Sequence, residues 1–312
     1  MITATGSKHT AIGTADNFWL FDEQLGFDIT HPSSPDSAPI YPRLTLQTSK
    51  TPVTLAPHKT ALVVIDMQNI FLSSAMGREK GAGHAAEQAL LEKCIPAARK
   101  AKIRILWLTW GISDEGLRTV PPMFNRNFGL TFNPESDSPP LTMRGSKQQW
   151  RPIDGGIGQS VGKVTLEDGT SIDGGRLLMK DQWNTELHGG LADAYSEGAR
   201  LKPADVRFHK ETHSGFWGGN QEFGQYLKHE GLKTLLFAGV NTDQCVLATM
   251  QDAAQQGYDT IMLKDACGTV SPQFAQDMVE FNAHKAFGFQ SSGDEFLYGA
   301  EHVESSAVQS KL

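Results

Sequence analysis

The sequence predicts an α/β fold in which a parallel sheet is covered by helices on both faces. Two observations carry this prediction. From about residue 60, short apolar runs alternate with stretches of helical spacing, the order expected of a parallel sheet with crossover helices. The first of these runs, ALVVI, is apolar throughout, as in a strand buried on both sides.

Each element follows in turn. Residues 61–65 (ALVVI) form a β-branched run. Residues 83–102 favour a helix, with Ala86, Leu90, Leu91, Cys94 and Ala98 on one face. Residues 103–110 (IRILWLTW) read as the next strand. Then come a strand at 205–209, a helix at 220–231, a strand at 234–239, a helix at 242–257, a strand at 259–264 and a helix at 272–288. In such sheets, sites form beyond the carboxyl ends of the strands. Asp66, Trp110, Lys210 and the turn after Gly239 therefore become the residues of interest.

Two regions fall outside this pattern. Residues 1–57 are polar, with a Pro- and Ser-rich stretch at 30–42 and the aromatic residues Phe18, Trp19 and Phe21. They read as an extended N-terminal arm on the domain or on a neighbouring subunit. The domain proper spans 58–300 and is followed by a polar tail at 301–312. Within it, residues 111–203 are too long for an ordinary connection and read as a cap or insertion over the site. Inside that stretch, KVTLEDGT suits a β-hairpin.

Composition narrows the function classes. The chain has 312 residues and a net charge of −7, which weighs against nucleic acid as a partner. No apolar run approaches the roughly 20 residues that cross a bilayer, so no membrane partner is expected. The first residues lack the apolar core of a signal peptide. Three cysteines, Cys94, Cys245 and Cys267, form no C-x-x-C pair and no disulfide framework, which suits a reduced compartment.

The chemistry centres on three strand ends. Cys245 falls in the first turn of a helix that follows a buried strand. There, free N–H groups and the helix dipole favour a thiolate and can hold an oxyanion. The alternative is a small buried hydrophobe. Asp66 ends the strand ALVVID, where it could instead cap a following turn. Lys210 ends VRFHK, where it could instead be a solvated lysine. Together, an acid, a cation and a thiol at one sheet edge make up the parts of a nucleophilic hydrolase.

The segments ALVVIDMQNIF (61–71), FHKETHSGFWG (208–218) and AGVNTDQCVLATMQDAAQQGYDTIMLKDACGT (238–269) resemble the isochorismatase-like cysteine hydrolases. That family includes nicotinamidases, N-carbamoylsarcosine amidase and ureidoacrylate amidohydrolase. The resemblance implies a Rossmann-like, three-layer α/β/α fold with a six-stranded, mainly parallel sheet, usually in homodimers or homotetramers. It implies Asp66 as general base, Lys210 as electrostatic partner and Cys245 as nucleophile. It also implies a cis peptide at Val240-Asn241, with the N–H groups of Asn241 and Cys245 as the oxyanion hole. The expected substrate is a small amide, ureide or carbamoyl compound.

Departures from the family sharpen the expectation. Nicotinamidases carry an Asp-x-His…His metal cluster after the second strand, where this chain has Trp110-Gly-Ile-Ser. No metal and no cofactor are therefore expected. The vinyl-ether-cleaving isochorismatases lack the nucleophilic cysteine, which makes that activity the alternative, alongside an idle family member acting as a binding module. Gln68, Phe71, Trp110 and Trp217 lie next to the site strands and are candidate substrate contacts, with Phe216 a packing residue. His209 and His213 have metal-pair spacing but fall on a strand and a turn. The run at 155–163 fails the phosphate-loop pattern. Cys94 reads as core, and Cys267 carries no expected chemistry. The last residues, Ser310-Lys311-Leu312, match a peroxisomal address read by an import receptor if the source is eukaryotic; otherwise a cytoplasmic location is expected.

Overall fold

The computed structural model describes residues 9–129, 156–217 and 221–306. The Ser310-Lys311-Leu312 signal lies outside these residues. The chain opens on five short strands: β1 (Thr10–Gly13), β2 (Phe18–Asp22), β3 (Gly26–Asp28), β4 (Leu44–Leu46) and β5 (Val53–Leu55). They form one sheet in the order β1-β2-β3-β5-β4. Residues 10–55 of the segment read as an extended arm thus form a small sheet of their own. Leu44, Leu46, Val53 and Leu55 alternate with half-buried neighbours, and all four join the core of the main domain. Trp19 meets Phe27 and Phe289, which ties the small sheet to the far end of the chain. The strands are short, and the Pro- and Ser-rich connection between β3 and β4 outweighs them in composition.

The main sheet holds β6 (Thr60–Ile65), β7 (Arg104–Trp110), β10 (Val206–Lys210), β11 (Thr234–Val240), β12 (Asp259–Gly268) and β13 (Phe289–Ser291), with the hairpin β8 (Lys163–Thr165) and β9 (Ser171–Asp173) outside it. Its order is β10-β7-β6-β11-β12-β13. Every pairing is parallel. The six-stranded sheet implied by the resemblance is therefore present. Its sixth strand, β13, lies beyond the strands read from the sequence, because three residues are too short a run to show a period.

Successive side chains of β6 point to opposite faces, and each face has its own core. Leu62 and Val64 pack with Ala86, Leu90, Cys94 and Ala98. Ala61, Val63 and Ile65 pack with Val246, Met250 and Ala253. The first of these helices runs through Ala82–Ala89, Leu90–Cys94 and Ile95–Ala101, with a widened π turn in the middle. Pro96 lies just after that turn. It has no N–H to give and its ring crowds the preceding carbonyls, which accounts for the widening. Cys94 is fully buried here, as core.

Residues 111–203 carry the helix Pro122–Gly129, the β8–β9 hairpin and the helix Gly190–Gly198. KVTLEDGT forms the hairpin, with antiparallel pairing. From the helix Pro122–Gly129, Phe124 and Phe128 reach Trp110 at the end of β7, with ring centres 5.7 and 5.5 Å away.

Candidate active site

The site begins where β6 and β11 press together. Gly239 has φ of 127°, and a Cβ there would lie 2.0 Å from the Ile65 carbonyl oxygen. Only glycine fits, so the two strand ends approach without a side chain between them. Asp66 follows β6 with φ of 54°, a left-handed conformation uncommon outside glycine. Its N–H donates to the Leu108 carbonyl at 2.9 Å. Held strain of this kind concentrates at functional sites. The Val240-Asn241 peptide that follows β11 is cis. A π turn, Thr242–Val246, then carries Cys245 into the helix Leu247–Gln255.

Three side chains from three strand ends meet here. Lys210 Nζ lies 2.9 Å from Asp66 Oδ2 and 3.3 Å from Cys245 Sγ. Asp66 and Cys245 thus share one neighbour, the Lys210 ammonium. All three are buried: Asp66 is 0 % exposed, Lys210 2 % and Cys245 4 %. Lys210 Nζ also donates to the Thr212 carbonyl at 3.0 Å, and it stands 3.9 Å from the centre of the Trp110 ring. The ammonium is thus surrounded by a carboxylate, a carbonyl and an aromatic face.

Burial pushes the Asp66 carboxyl above the usual carboxylate range, against the opposing pull of Lys210 and the donors around it. Burial also pushes the Cys245 thiol up; the Asp66 charge adds to this and Lys210 opposes it. Both groups therefore favour the proton-bearing state more than they would in water. A raised carboxyl next to a thiol that keeps its proton suits a base that acts when substrate arrives, and does not call for a standing thiolate.

The neighbouring residues divide by role. Gln68 is fully buried and committed to the scaffold. Its Nε2 donates to the carbonyls of Trp110 at 2.8 Å and Thr185 at 2.7 Å, and its Oε1 accepts the Trp110 N–H at 2.9 Å. That N–H also donates to Asp66 Oδ1 at 3.1 Å. The expected substrate contact at Gln68 is therefore a clamp on the strand end that aims Asp66. Phe71 is half-buried and lines a cleft of about 400 Å³ with Arg78, His84, Val240, Asn241 and Thr269. Trp217 is 65 % exposed and borders a separate pocket with Phe216, Gln225 and Lys228, which none of Asp66, Lys210 and Cys245 lines. The expected contact at Trp217 is thus away from the triad.

His213 stands closer to the triad than its sequence context suggested. Its ring meets Phe124 edge to face at 4.7 Å and Trp110 at 6.0 Å. Burial, then the Lys210 charge, lowers its pKa to about 4. His209 faces Thr109 instead, with Nδ1 3.3 Å from its hydroxyl. Among the described residues, no group of three or more His, Cys, Asp or Glu side chains is arranged to hold a metal ion. Phe124 and Phe128 were not singled out from the sequence. Their i, i+4 spacing behind the Pro121-Pro122 pair was the available signal for an apolar helix face. Trp110 Nε1, His213 Nε2 and Thr242 Oγ1 are buried with no hydrogen-bond partner.

Comparison with known proteins agrees with this fold. The isochorismatase domain model matches residues 175–294. Ureidoacrylate amidohydrolase RutB of Pseudomonas syringae pv. syringae is 28 % identical over 266 residues, covering 84 % of this chain and 91 % of that protein. RutB of Agrobacterium fabrum is 24 % identical over 257 residues, covering 81 % and 95 %. A cysteine hydrolase structure from Pseudomonas syringae pv. phaseolicola superposes with a TM-score of 0.55 at 19 % identity, covering 84 % of this chain and 99 % of that one. An isochorismatase family protein from Desulfovibrio vulgaris gives 0.51 at 17 % identity, covering 76 % and 95 %.

Proposed function

We propose that the chain is an isochorismatase-like amidohydrolase that cleaves a C–N bond through a covalent Cys245 intermediate. The observation that carries this reading is the buried cluster in which Lys210 contacts both Asp66 and Cys245, at the carboxyl ends of β6 and β10 and just after β11. Its likeness to ureidoacrylate amidohydrolases supports a small amide, ureide or carbamoyl substrate.

In this reading, Asp66 takes the Cys245 thiol proton as the sulfur forms a bond to the substrate carbonyl carbon. The carbonyl π electrons move to oxygen, and the N–H groups of Asn241 and Cys245 hold the resulting oxyanion. When the carbonyl re-forms, the C–N bond breaks and the departing nitrogen takes the proton from Asp66. Water then attacks the thioester or carbamoyl enzyme and gives a proton to Asp66. The C–S bond breaks, and that proton returns to sulfur. Lys210 works against the burial that favours a protonated Asp66 and steadies the negative charge on sulfur. No step calls for a metal.

Cys245→Ala tests the reading. Ammonia release from a panel of ureides, amides and carbamates should disappear in the variant. Release that survives it removes Cys245 as nucleophile and points to vinyl-ether or other non-covalent chemistry.

A further inference from the structure

A cleft of about 290 Å³ opens where the small N-terminal sheet meets the helical turn before β13. One of its walls, Phe289, pairs with Ile261 near the start of β12, which puts the cleft at the amino edge of the main sheet. Asp66, Lys210 and Cys245 stand at the carboxyl edge, and none of them lines it.

The floor of the cleft is aromatic. The ring centres of Trp19 and Phe27 lie 5.1 and 5.4 Å from that of Phe289, and 5.8 Å from each other. Trp19 Nε1 is spent on Asp259, so the indole offers the cleft its ring alone. The rim is basic. Lys50 enters from the turn between β4 and β5, and His284 and Lys285 enter from the π turn Ala283–Phe287. Among the described residues no Asp or Glu lines the cleft, although the chain carries 35 acidic residues against 28 Lys and Arg. Lys93 and Lys100 pair with Asp294 and Glu301, whereas neither Lys50 nor Lys285 forms an ion pair among the described residues.

Both basic arms are fixed through the backbone. Thr48 Oγ1 donates to the Thr51 carbonyl at 2.7 Å and accepts the Thr51 N–H at 3.1 Å, and the Ser49 N–H donates to the Gln290 carbonyl at 2.9 Å. The Gly288 N–H closes the π turn on the Ala283 carbonyl at 2.9 Å, and the Thr260 hydroxyl donates to the Phe287 carbonyl at 2.9 Å. His284 spends Nδ1 on the Glu280 carbonyl at 3.0 Å, which leaves the two lysines to supply the charge. Walls held in place before a ligand arrives reduce the ordering cost of binding.

We propose that this cleft is a second ligand site, separate from the triad, for a small aryl acid. The flat ring system lies on Trp19, Phe27 and Phe289, and the carboxylate or sulfonate lies between Lys50 and Lys285. A neutral arene gains the floor alone and an inorganic anion gains the rim alone, so the site favours the two joined in one molecule. Such a ligand touches the small sheet and the main domain together, and by binding the native state it raises stability.

Isothermal titration calorimetry of the full chain with 2-naphthoate, 2-naphthylmethanol and inorganic phosphate tests this. 2-Naphthoate should bind saturably and raise the melting temperature, and the other two should bind at least roughly fivefold more weakly. Lys50→Glu with Lys285→Glu should weaken 2-naphthoate by roughly five- to tenfold and leave the alcohol within about twofold. Ala286→Trp fills the cleft from an exposed position and should abolish binding of both. Arg78→Gln, in the separate cleft lined by Asn241, should change neither. Lys50 and Lys285 are exposed, so their variant should melt as the wild type does. Absence of 2-naphthoate binding, equal affinity for the alcohol, or wild-type affinity in the folded lysine variant or in Ala286→Trp overturns the proposal. So does an affinity that falls in Arg78→Gln and holds in the lysine variant, which would put the acid in the other cleft.

Discussion

Lys210 Nζ stands 3.9 Å from the centre of the Trp110 ring while it pairs with Asp66 at 2.9 Å. The indole face thus acts as a second, uncharged partner for an ammonium removed from water. Such a contact is worth up to about 2 kcal/mol when desolvated. Trp110→Leu keeps apolar bulk but removes that face. It should lower kcat/KM by roughly tenfold, mostly through kcat, because Lys210 loses its fixed position beside the sulfur. An unchanged kcat would mean that the ring serves packing alone.

Removing Lys210 tests the ion pair itself. Lys210→Met leaves Asp66 buried without its cation, and breaking a buried pair by losing one member costs about 3–5 kcal/mol. The melting temperature should fall and hydrolysis should vanish. A second change at the partner, Asp66→Asn, should then cost less in the Lys210→Met background than in the wild type, since the stranded charge is already the source of the penalty. Simple additivity in chemical denaturation would show that the pair contributes no coupling.

Histidine burial sets an acid limit on stability. His209 and His213 are both lowered to about 4, each mainly by burial, whereas an unfolded histidine titrates near 6.5. Between these values the unfolded chain binds more protons than the native one, so stability rises with pH across the window. It should be fully present above about 6.5 and decline as pH falls towards 4. Denaturation midpoints at pH 7, 5.5 and 4.5 measure this, and His209→Gln should flatten part of the slope. A slope unchanged in that variant would assign the acid sensitivity to other groups.

Legibility in the sequence followed the length and periodicity of each element. β6 and β11 were readable as nearly unbroken apolar runs, and β7, β10 and β12 from their alternation with helical stretches; the candidate residues Asp66, Lys210 and Cys245 stood out because each sits at, directly after or near the end of a strand. Gln68 was misjudged because adjacency in sequence says nothing about where an amide spends its hydrogen bonds, and here all go to the backbone of Trp110 and Thr185. Trp217 was misjudged for a similar reason, since the turn after Lys210 carries it out to solvent. His213 was weighed only as half of a metal pair, although its partners turn out to be the rings of Trp110 and Phe124. The N-terminal sheet was hidden because its three- to five-residue strands pair across long gaps, and a polar composition masks a buried alternation of only two or three residues.

That sheet owes part of its attachment to one carboxylate. Asp259, at the start of β12 and 3 % exposed, accepts from Trp19 Nε1 at 2.6 Å and Thr234 Oγ1 at 3.1 Å, and it pairs with His31 Nε2 at 2.6 Å. Trp19 and His31 flank β3, while Thr234 begins β11, so this single side chain joins the small sheet to two central strands. Hydrogen bonds to a charged group contribute about 1.5–3 kcal/mol each. Asp259→Asn removes the charge and leaves one amide to serve three partners, so it should destabilise the protein by a few kcal/mol and lower its melting temperature. Asp259 lies at the amino end of β12, whereas Cys245 and Asp66 lie at the carboxyl edge of the sheet, so kcat/KM at a temperature well below the melt should stay within about twofold of wild type. Limited proteolysis should cut first within residues 9–55 of the variant. A loss of kcat/KM in a variant that still resists proteolysis there would show instead that the small sheet holds the catalytic edge in place.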